Sequence, residues 1–266
     1  IQRHPYGEGK QLLLTRDVTV VEQAEAMRRD FVANVSHEIR TPLTVLAGFV
    51  ETMQTLKLSP QEQENYLALM ATQSQRMQSL VDDLLTLSRL EGSPIPSFNS
   101  HIVLSQLMDV CQSEAQQLSQ MLFQDKISQV IVFETDPDIK DVLLLGEPRE
   151  LQSALSNLVS NAVRYTPQGG RIDVHAFVSA DGNLNLQVKD TGAGIPPEHL
   201  PRLTERFYRV DRSRSRESGG TGLGLAIVKH VMQRHGGHLQ ITSVAGQGST
   251  FNLVFPPTRF KQEVST

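Results

Sequence analysis

The chain has no tryptophan and one cysteine, and aromatic residues make up only 5% of its 266 positions. A single thiol excludes an internal disulfide framework and a cysteine-rich metal site. No apolar run approaches the roughly 20 residues that a membrane helix needs, and no secretory leader is visible. Charge of one sign is not in excess either. The formal net charge is −4, which gives no global pull towards nucleic acid or an anionic membrane surface. What remains is ordinary globular material, 39% hydrophobic and 20% charged, in a length that suggests about two domains. Cys111 follows Leu104, Leu107 and Met108 at helical spacing and reads as a buried structural thiol. The chain starts at Ile1 and is read as a fragment. Its own lack of a span says nothing of a parent protein.

Residues 1–20 read as a turn and a strand, too short for a domain. From about Val21 to Leu58 the pattern is helical. Phe31, Val35 and Ile39, then Leu46, Val50 and Met53, form one apolar stripe. Pro42 interrupts it and is expected to bend the helix, because it lacks an N–H and crowds the preceding turn. Ser59-Pro60-Gln61-Glu62 restarts a helix, with Ser59 as cap, Pro60 at the first helical position and Glu62 completing a capping box. Leu67, Met70, Ser74, Met77, Val81, Leu84 and Ser88 then alternate spacings of three and four, a heptad seam. Two such helices joined by a short turn form a hairpin that leaves apolar surface uncovered. Pairing with a second chain into a four-helix bundle is the expected solution, and packing on the rest of the same chain is the alternative.

Gly92-Ser93-Pro94-Ile95-Pro96 breaks the second helix and reads as a linker. Beyond it helices are expected near 103–120, 148–165 and 222–235. Strands are expected near 127–135, 141–145, 171–178, 184–190, 238–243 and 249–255. This alternation predicts a two-layer α/β domain.

His37 lies two residues from both Val35 and Ile39, so on a helix it points away from the apolar stripe. A lone helical histidine is usually inert. Here Glu38 sits beside it, Thr41 shares its face one turn on, and Pro42 loosens the helix just below. Imidazole is a competent phosphoryl acceptor because one ring nitrogen is free near neutral pH, and a neighbouring carboxylate can hold the proton on the other. A metal site lacks ligands, since no second histidine stands four residues away.

Three further segments carry the chemistry of a nucleotide site. Asn157 and Asn161 stand one turn apart, with Arg164 and Tyr165 beyond, bordering an apolar face of Leu151, Leu155, Leu158 and Ala162. Amide oxygens suit a Mg²⁺ already bound to phosphates. Alternation puts Asp190 on the same inward strand face as Leu184, Leu186 and Val188, and an inward carboxylate needs a partner. Thr191-Gly192-Ala193-Gly194-Ile195 follows, letting backbone approach a ligand, and the pairing points to a hydrogen bond from an adenine amino group. Gly219-Gly220-Thr221-Gly222-Leu223-Gly224 opens a helix and exposes N–H groups to phosphates. It is neither a Walker A loop nor a dinucleotide fingerprint. Between the second and third segments lies an arginine-rich stretch at 202–216, in which Arg-Ser-Arg-Ser-Arg at 212–216 is read as a mobile lid over the phosphates, with a solvated loop as the alternative.

Together SHEIRTPL, NLVSNAVRYTP, DTGAGI, ERFYRVD and GGTGLGLAIVKH resemble, in order, the boxes of the histidine kinase family of two-component systems, over residues 30–256. LLLTRDVTVVEQ resembles the exit strand of a PAS sensor domain. The resemblance implies an α+β chain: a helical-hairpin dimerisation domain, forming a four-helix bundle in the dimer, then an α/β two-layer sandwich ATP-binding domain of the Bergerat (GHKL) type. The expected boundaries are 1–20 for a PAS-like tail, 21–92 for the hairpin, 93–97 for the linker, 98–257 for the ATP domain and 258–266 for a tail. His37 would be phosphorylated, Glu38 its acid–base partner, and Thr41 would position water in the reverse, dephosphorylating role. Asn161 would bind Mg²⁺ with Asn157 nearby, and Asp190 would read adenine. Gly192, Gly194 and Ile195 would shape the pocket, and Tyr165 would pack near the base. Arg164 stands where the family commonly has Lys, a planar fork in place of a point charge. Phe207 and Arg209 would link lid and phosphates, and Gly220, Thr221, Gly222, Leu223 and Gly224 would border the triphosphate. The implied cofactors are ATP and Mg²⁺. The implied partners are a second copy and a response-regulator receiver domain, with no nucleic acid and with membrane contact only through a part outside this chain. The expected location is a cytoplasmic piece of a bacterial inner-membrane protein. Alternatives from other classes are a GHKL-type ATPase and a nucleotide-sensing dimeric scaffold. Related ATPases place a glutamate, which activates water, where Asn157 stands here.

Overall fold

The computed structural model describes residues 2–5, 11–14, 19–123, 128–210 and 220–262. Contacts divide the chain into two compact units, Ile1–Met77 and Gln78–Thr266.

In the first unit, strands β1 (Gln2–Pro5) and β2 (Gln11–Leu14) pair antiparallel. Helix α1 (Thr19–Thr55) runs without interruption through Pro42. Helix α2 (Pro60–Gly92) starts as its sequence predicts. The Glu62 N–H donates to Ser59 Oγ at 3.3 Å, and the Ser59 N–H to Glu62 Oε2 at 2.7 Å, closing the capping box. The Ser59 N–H, and after it the Ser59 hydroxyl, which also donates to Oε2 at 2.7 Å, hold the Glu62 carboxyl below its ordinary range. Phe49 and Tyr66 bring the two helices together, ring centroids 5.5 Å apart. The covered face of α2 departs from the expected seam. Tyr66, Met70, Gln73, Arg76 and Met77 are half-buried, and Leu80, Leu87 and Leu90 are buried. Leu67, Ser74, Val81 and Ser88 are exposed. Met70, Met77 and Leu84 of the predicted seam are half-buried, while at its other positions the covered residue is the one before, Tyr66, Gln73, Leu80 and Leu87.

The second unit holds a five-stranded sheet of β4 (Val130–Thr135), β6 (Arg171–Val178), β7 (Leu184–Asp190), β8 (His238–Val244) and β9 (Gly248–Phe255), in the order β4-β6-β7-β9-β8. Only β4–β6 is parallel. Ile172, Val174 and Ala176 alternate on the buried face of β6, opposite Asp190, Val188 and Leu186 of β7. Helices α3 (Leu104–Leu122), α4 (Pro148–Tyr165) and α5 (Gly224–Arg234) pack against one another and on this sheet. Each shows an apolar stripe at helical spacing, such as Leu151, Leu155, Leu158, Ala162 on α4. Cys111 is fully buried in α3, as its spacing implies, with Sγ 3.5 Å from Ser156 Oγ on α4. Burial pushes its thiol up to about 11.

A second sheet was not expected. β3 (His101–Val103) and β10 (Phe260–Gln262) flank β5 (Val142–Leu145), all antiparallel. The folded part of this unit thus reaches Gln262, past the expected boundary at Pro257. The segment read as a linker is also tied down. Pro96 is buried. All five N–H donors of Arg234 are used: a fork onto Glu150 at 3.0 and 3.1 Å, and bonds to the carbonyls of Leu90, Ser93 and Pro94 at 2.8–2.9 Å. Helix α2 thereby ends with carbonyls that a guanidinium satisfies.

Candidate nucleotide and phosphoacceptor sites

In the first unit His37 is exposed on α1, as the stripe argument requires. Thr41 Oγ1 donates to the His37 carbonyl at 3.1 Å, one of several hydroxyls bonded back along this helix. Glu38, half-buried, turns towards α2, where Arg76 Nη2 stands 3.4 Å from its Oε2.

In the second unit one cavity of about 480 Å³ gathers most of the remaining predicted residues. This lies within the range of small-molecule sites. Helix α4 contributes Asn157, Asn161, Arg164 and Tyr165; β7 and its exit loop contribute Asp190, Gly194 and Ile195. Arg209, Gly220, Thr221, Gly222 and Gly224 close the other side.

Asp190 ends a strand whose inward face is core, so register alone delivers its carboxylate to the cavity. Its Oδ1 accepts the Gly192 N–H at 2.8 Å and the Ser249 N–H at 3.3 Å. Burial raises its pKa, and the two backbone bonds oppose that rise. One carboxylate oxygen is anchored; the other is available to a ligand's donor. Gly194 has φ +65°, and a side chain there would run into the Val244 carbonyl oxygen, so the loop needs glycine.

The Asn157 Nδ2 donates to the Ser153 carbonyl at 2.8 Å, which leaves its Oδ1 as the free end of the amide. A Cβ at Gly224 would lie 2.5 Å from that oxygen. The glycine therefore brings the start of α5 against Asn157. Burial lowers the pKa of Arg164. Arg209 Nη2 donates to the Gly220 carbonyl.

Three predicted residues do not line the wall. Leu223 is fully buried in the core, with its N–H donating to Thr221 Oγ1 at 3.2 Å; Leu225 lines the cavity in its place. Gly192 acts through its N–H to Asp190. Phe207 stands behind the wall, its N–H donating to the Gly222 carbonyl at 2.8 Å. It has φ +62°, alone among the described non-glycine residues in being positive. Such backbone costs about 1–3 kcal/mol and persists only where surroundings enforce it. Arg212, Arg214 and Arg216 of the expected lid lie outside the described residues.

Sequence reasoning missed two wall residues on α2, Ser79 and Asp83. Thr221 Oγ1 donates to Asp83 Oδ2 at 2.5 Å, and burial raises the Asp83 pKa. No local signal marks Asp83, because its partner lies 138 positions away. The cavity wall thus contains two carboxylates, Asp83 and Asp190, both accepting hydrogen bonds from the protein.

Known proteins match the chain over both of these regions. Residues 27–93 match the His Kinase A (phospho-acceptor) domain, and residues 146–259 the histidine kinase-, DNA gyrase B- and HSP90-like ATPase domain. The phosphate regulon sensor protein PhoR of Pseudomonas aeruginosa is 48% identical over 259 residues, covering 96% of this chain and 56% of the relative. The chain spans little more than half the length of such relatives. Among solved structures, full-length ShkA in complex with AMPPNP is 26% identical with TM-score 0.60, covering 89% of this chain and 47% of that one. Histidine kinase ThkA in complex with response regulator TrrA has TM-score 0.66 at 21% identity, covering 91% and 67%, a likeness of fold. With both domains in one chain and this degree of identity to PhoR, the chain belongs to the PhoR-like sensor histidine kinases.

Proposed function

We propose that the chain phosphorylates its own His37 from Mg-ATP and passes the phosphoryl group to an aspartate of a response-regulator receiver domain. The observation that carries this reading is Asn157. It stands in the cavity wall where related ATPases have a water-activating glutamate, and an amide cannot serve as a base. Bound ATP is then held without efficient hydrolysis until an imidazole nitrogen reaches it. In the transfer, the bond between the γ-phosphorus and the β-bridging oxygen breaks as a nitrogen–phosphorus bond forms, and ADP leaves with the electron pair. Glu38 holds the proton on the other ring nitrogen. Phosphoryl transfer is mainly positioning and charge stabilisation. Arg164 and Arg209 supply positive charge in this wall.

The Asn157 and Asn161 oxygens fit a Mg²⁺ that arrives with the triphosphate. No cluster of three His, Cys, Asp or Glu is present among the described residues to hold a bare cation. When bound, the ion would draw off charge from the β- and γ-phosphates.

The remaining parts of the reading draw on the relatives. The likeness to PhoR supports a role in phosphate-starvation signalling with a PhoB-like regulator, and Thr41 is read as serving the opposite, phosphatase, direction. The exposed Val32, Leu43, Val45, Val50, Leu67 and Leu69 of the hairpin suit pairing with a second copy into a four-helix bundle. No helix among the described residues is long and apolar enough to cross a membrane. The chain is read as the cytoplasmic piece of a sensor anchored in the inner membrane by a part beyond these residues.

Incubation with γ-labelled ATP tests the core of the proposal. The expected product is protein-bound label that is acid-labile, base-stable and absent in His37→Ala. Free phosphate without labelled protein would favour a hydrolytic ATPase and overturn it.

A further inference from the structure

We infer that Arg76 of α2 is a positioning residue for phosphoryl transfer at His37, acting by holding the Glu38 carboxylate. The inference rests on the reading that Glu38 serves His37.

Arg76 occupies the stripe of α2 that faces α1, where Tyr66, Met70 and Met77 set the expectation of an apolar side chain. Its side chain is only 16% exposed, yet it carries a permanent charge. Gln73, also half-buried, makes this stretch of the stripe polar. Apolar residues of similar volume at such positions are commonly as stable as the ion pair or more so, because desolvation offsets the Coulombic gain. Stability alone therefore does not account for an arginine here. Its Nη2 lies 3.4 Å from Glu38 Oε2, and Glu38 is the neighbour of the exposed His37.

A guanidinium reaching across from α2 holds this carboxylate from outside its own helix. A planar fork gives direction as well as charge, which a general acid–base group requires. Glu38, next in sequence to His37, is then held by Arg76 of α2.

The test compares Arg76→Met, Glu38→Gln and the double variant in the whole chain, measuring the rate of His37 labelling against ATP concentration together with thermal melting. Arg76→Met is expected to lower the maximal rate about 10- to 100-fold, the scale of a misplaced catalytic group, with KM for ATP unchanged. Melting should stay at or above the wild-type temperature. In the Glu38→Gln background the same substitution should change the rate less than twofold, because there is no carboxylate left to position. A purely structural arginine would instead lower melting and reduce the rate by the same factor in both backgrounds, and that result would overturn the inference. A wild-type rate in Arg76→Met would do so too. If Arg76→Met melts far below wild type, Arg76→Gln, which keeps a donor but no charge, is read by the same cycle. Persistence of label in His37→Ala would instead sink the function proposed above, and is scored separately.

Discussion

Asp190→Asn separates nucleotide recognition from folding within a single residue. In the wild type Oδ1 receives two backbone N–H groups, from Gly192 at 2.8 Å and Ser249 at 3.3 Å. Asparagine keeps a carbonyl oxygen for both, so the loop after β7 retains its anchors. What changes is the second position, where NH₂ replaces an anionic oxygen. An adenine amino group then meets a donor. A hydrogen bond to a charged group, worth about 1.5–3 kcal/mol, is lost, and a buried donor is left unpaired at about 1–3 kcal/mol. Some relaxation is expected, so a total near 3 kcal/mol is reasonable, roughly a hundredfold in Kd. Calorimetric titration with ATP and with inosine triphosphate reads the effect. ATP should weaken by that factor, and inosine triphosphate, with a carbonyl at the corresponding position, should weaken far less. Folding stability read from melting should change by no more than about 1 kcal/mol, because both backbone anchors keep their acceptor. ATP binding within threefold of wild type, or loss of binding that tracks a collapse in melting, would refute the assignment of Asp190 as the adenine reader.

Further outcomes follow from the same structure. Asp83→Asn keeps an oxygen for the Thr221 hydroxyl but removes a buried negative charge from the phosphate side of the cavity. ATP should bind about three- to tenfold tighter, most clearly at low salt; weaker binding by titration calorimetry would contradict the electrostatic argument. His235 is fully buried, with Nδ1 2.8 Å from the Val231 carbonyl and Nε2 accepting the Glu147 N–H at 3.2 Å. Burial lowers its pKa despite nearby Glu150, and Arg259 and Arg234 add to the lowering. The unfolded chain therefore binds the proton more readily. This contribution to stability is complete above about pH 6.5 and is lost as pH falls towards the folded value. Melting curves between pH 7.5 and 5 should show the slope, and His235→Gln should flatten it; an unchanged slope refutes the claim. Cys111, with its thiol pushed up to about 11, should resist a thiol reagent at pH 8 in the native chain and titrate as one group after denaturation. Rapid native reaction would show the α3–α4 packing to be wrong.

Much of the site could be read in advance because its residues sit on periodic elements. The α4 stripe fixes which edge carries Asn157, Asn161 and Arg164, and alternation along β7 sends Asp190 inward whatever the rest of the fold does. The capping box at Ser59 and Glu62 is local in the same way. What escaped depends on distant pairing. β3 and β10 are three residues each and gain strand character only by flanking β5, with β10 more than a hundred positions beyond β5. Asp83 and Thr221 are 138 positions apart, and nothing in either neighbourhood announces the other. The α2 seam was displaced in part for a different reason. Two adjacent stripes both show alternating spacings of three and four, and periodicity cannot tell which one the same chain covers. Leu223 was misplaced because a glycine-rich loop gives no face periodicity, so wall and core residues look alike.

The five-donor set of Arg234 bears on where this protein can be cut. By composition Gly92–Pro96 is the natural place to begin an isolated ATP-binding fragment, yet those residues and the last turn of α2 supply three carbonyls to one guanidinium. A fragment starting at residue 98 would strand that cation on Glu150 alone and uncover the helices it braces. One starting at residue 78 would carry its own bracing strut, and should express better, melt higher and resist proteases across the very stretch that looks most like a tether.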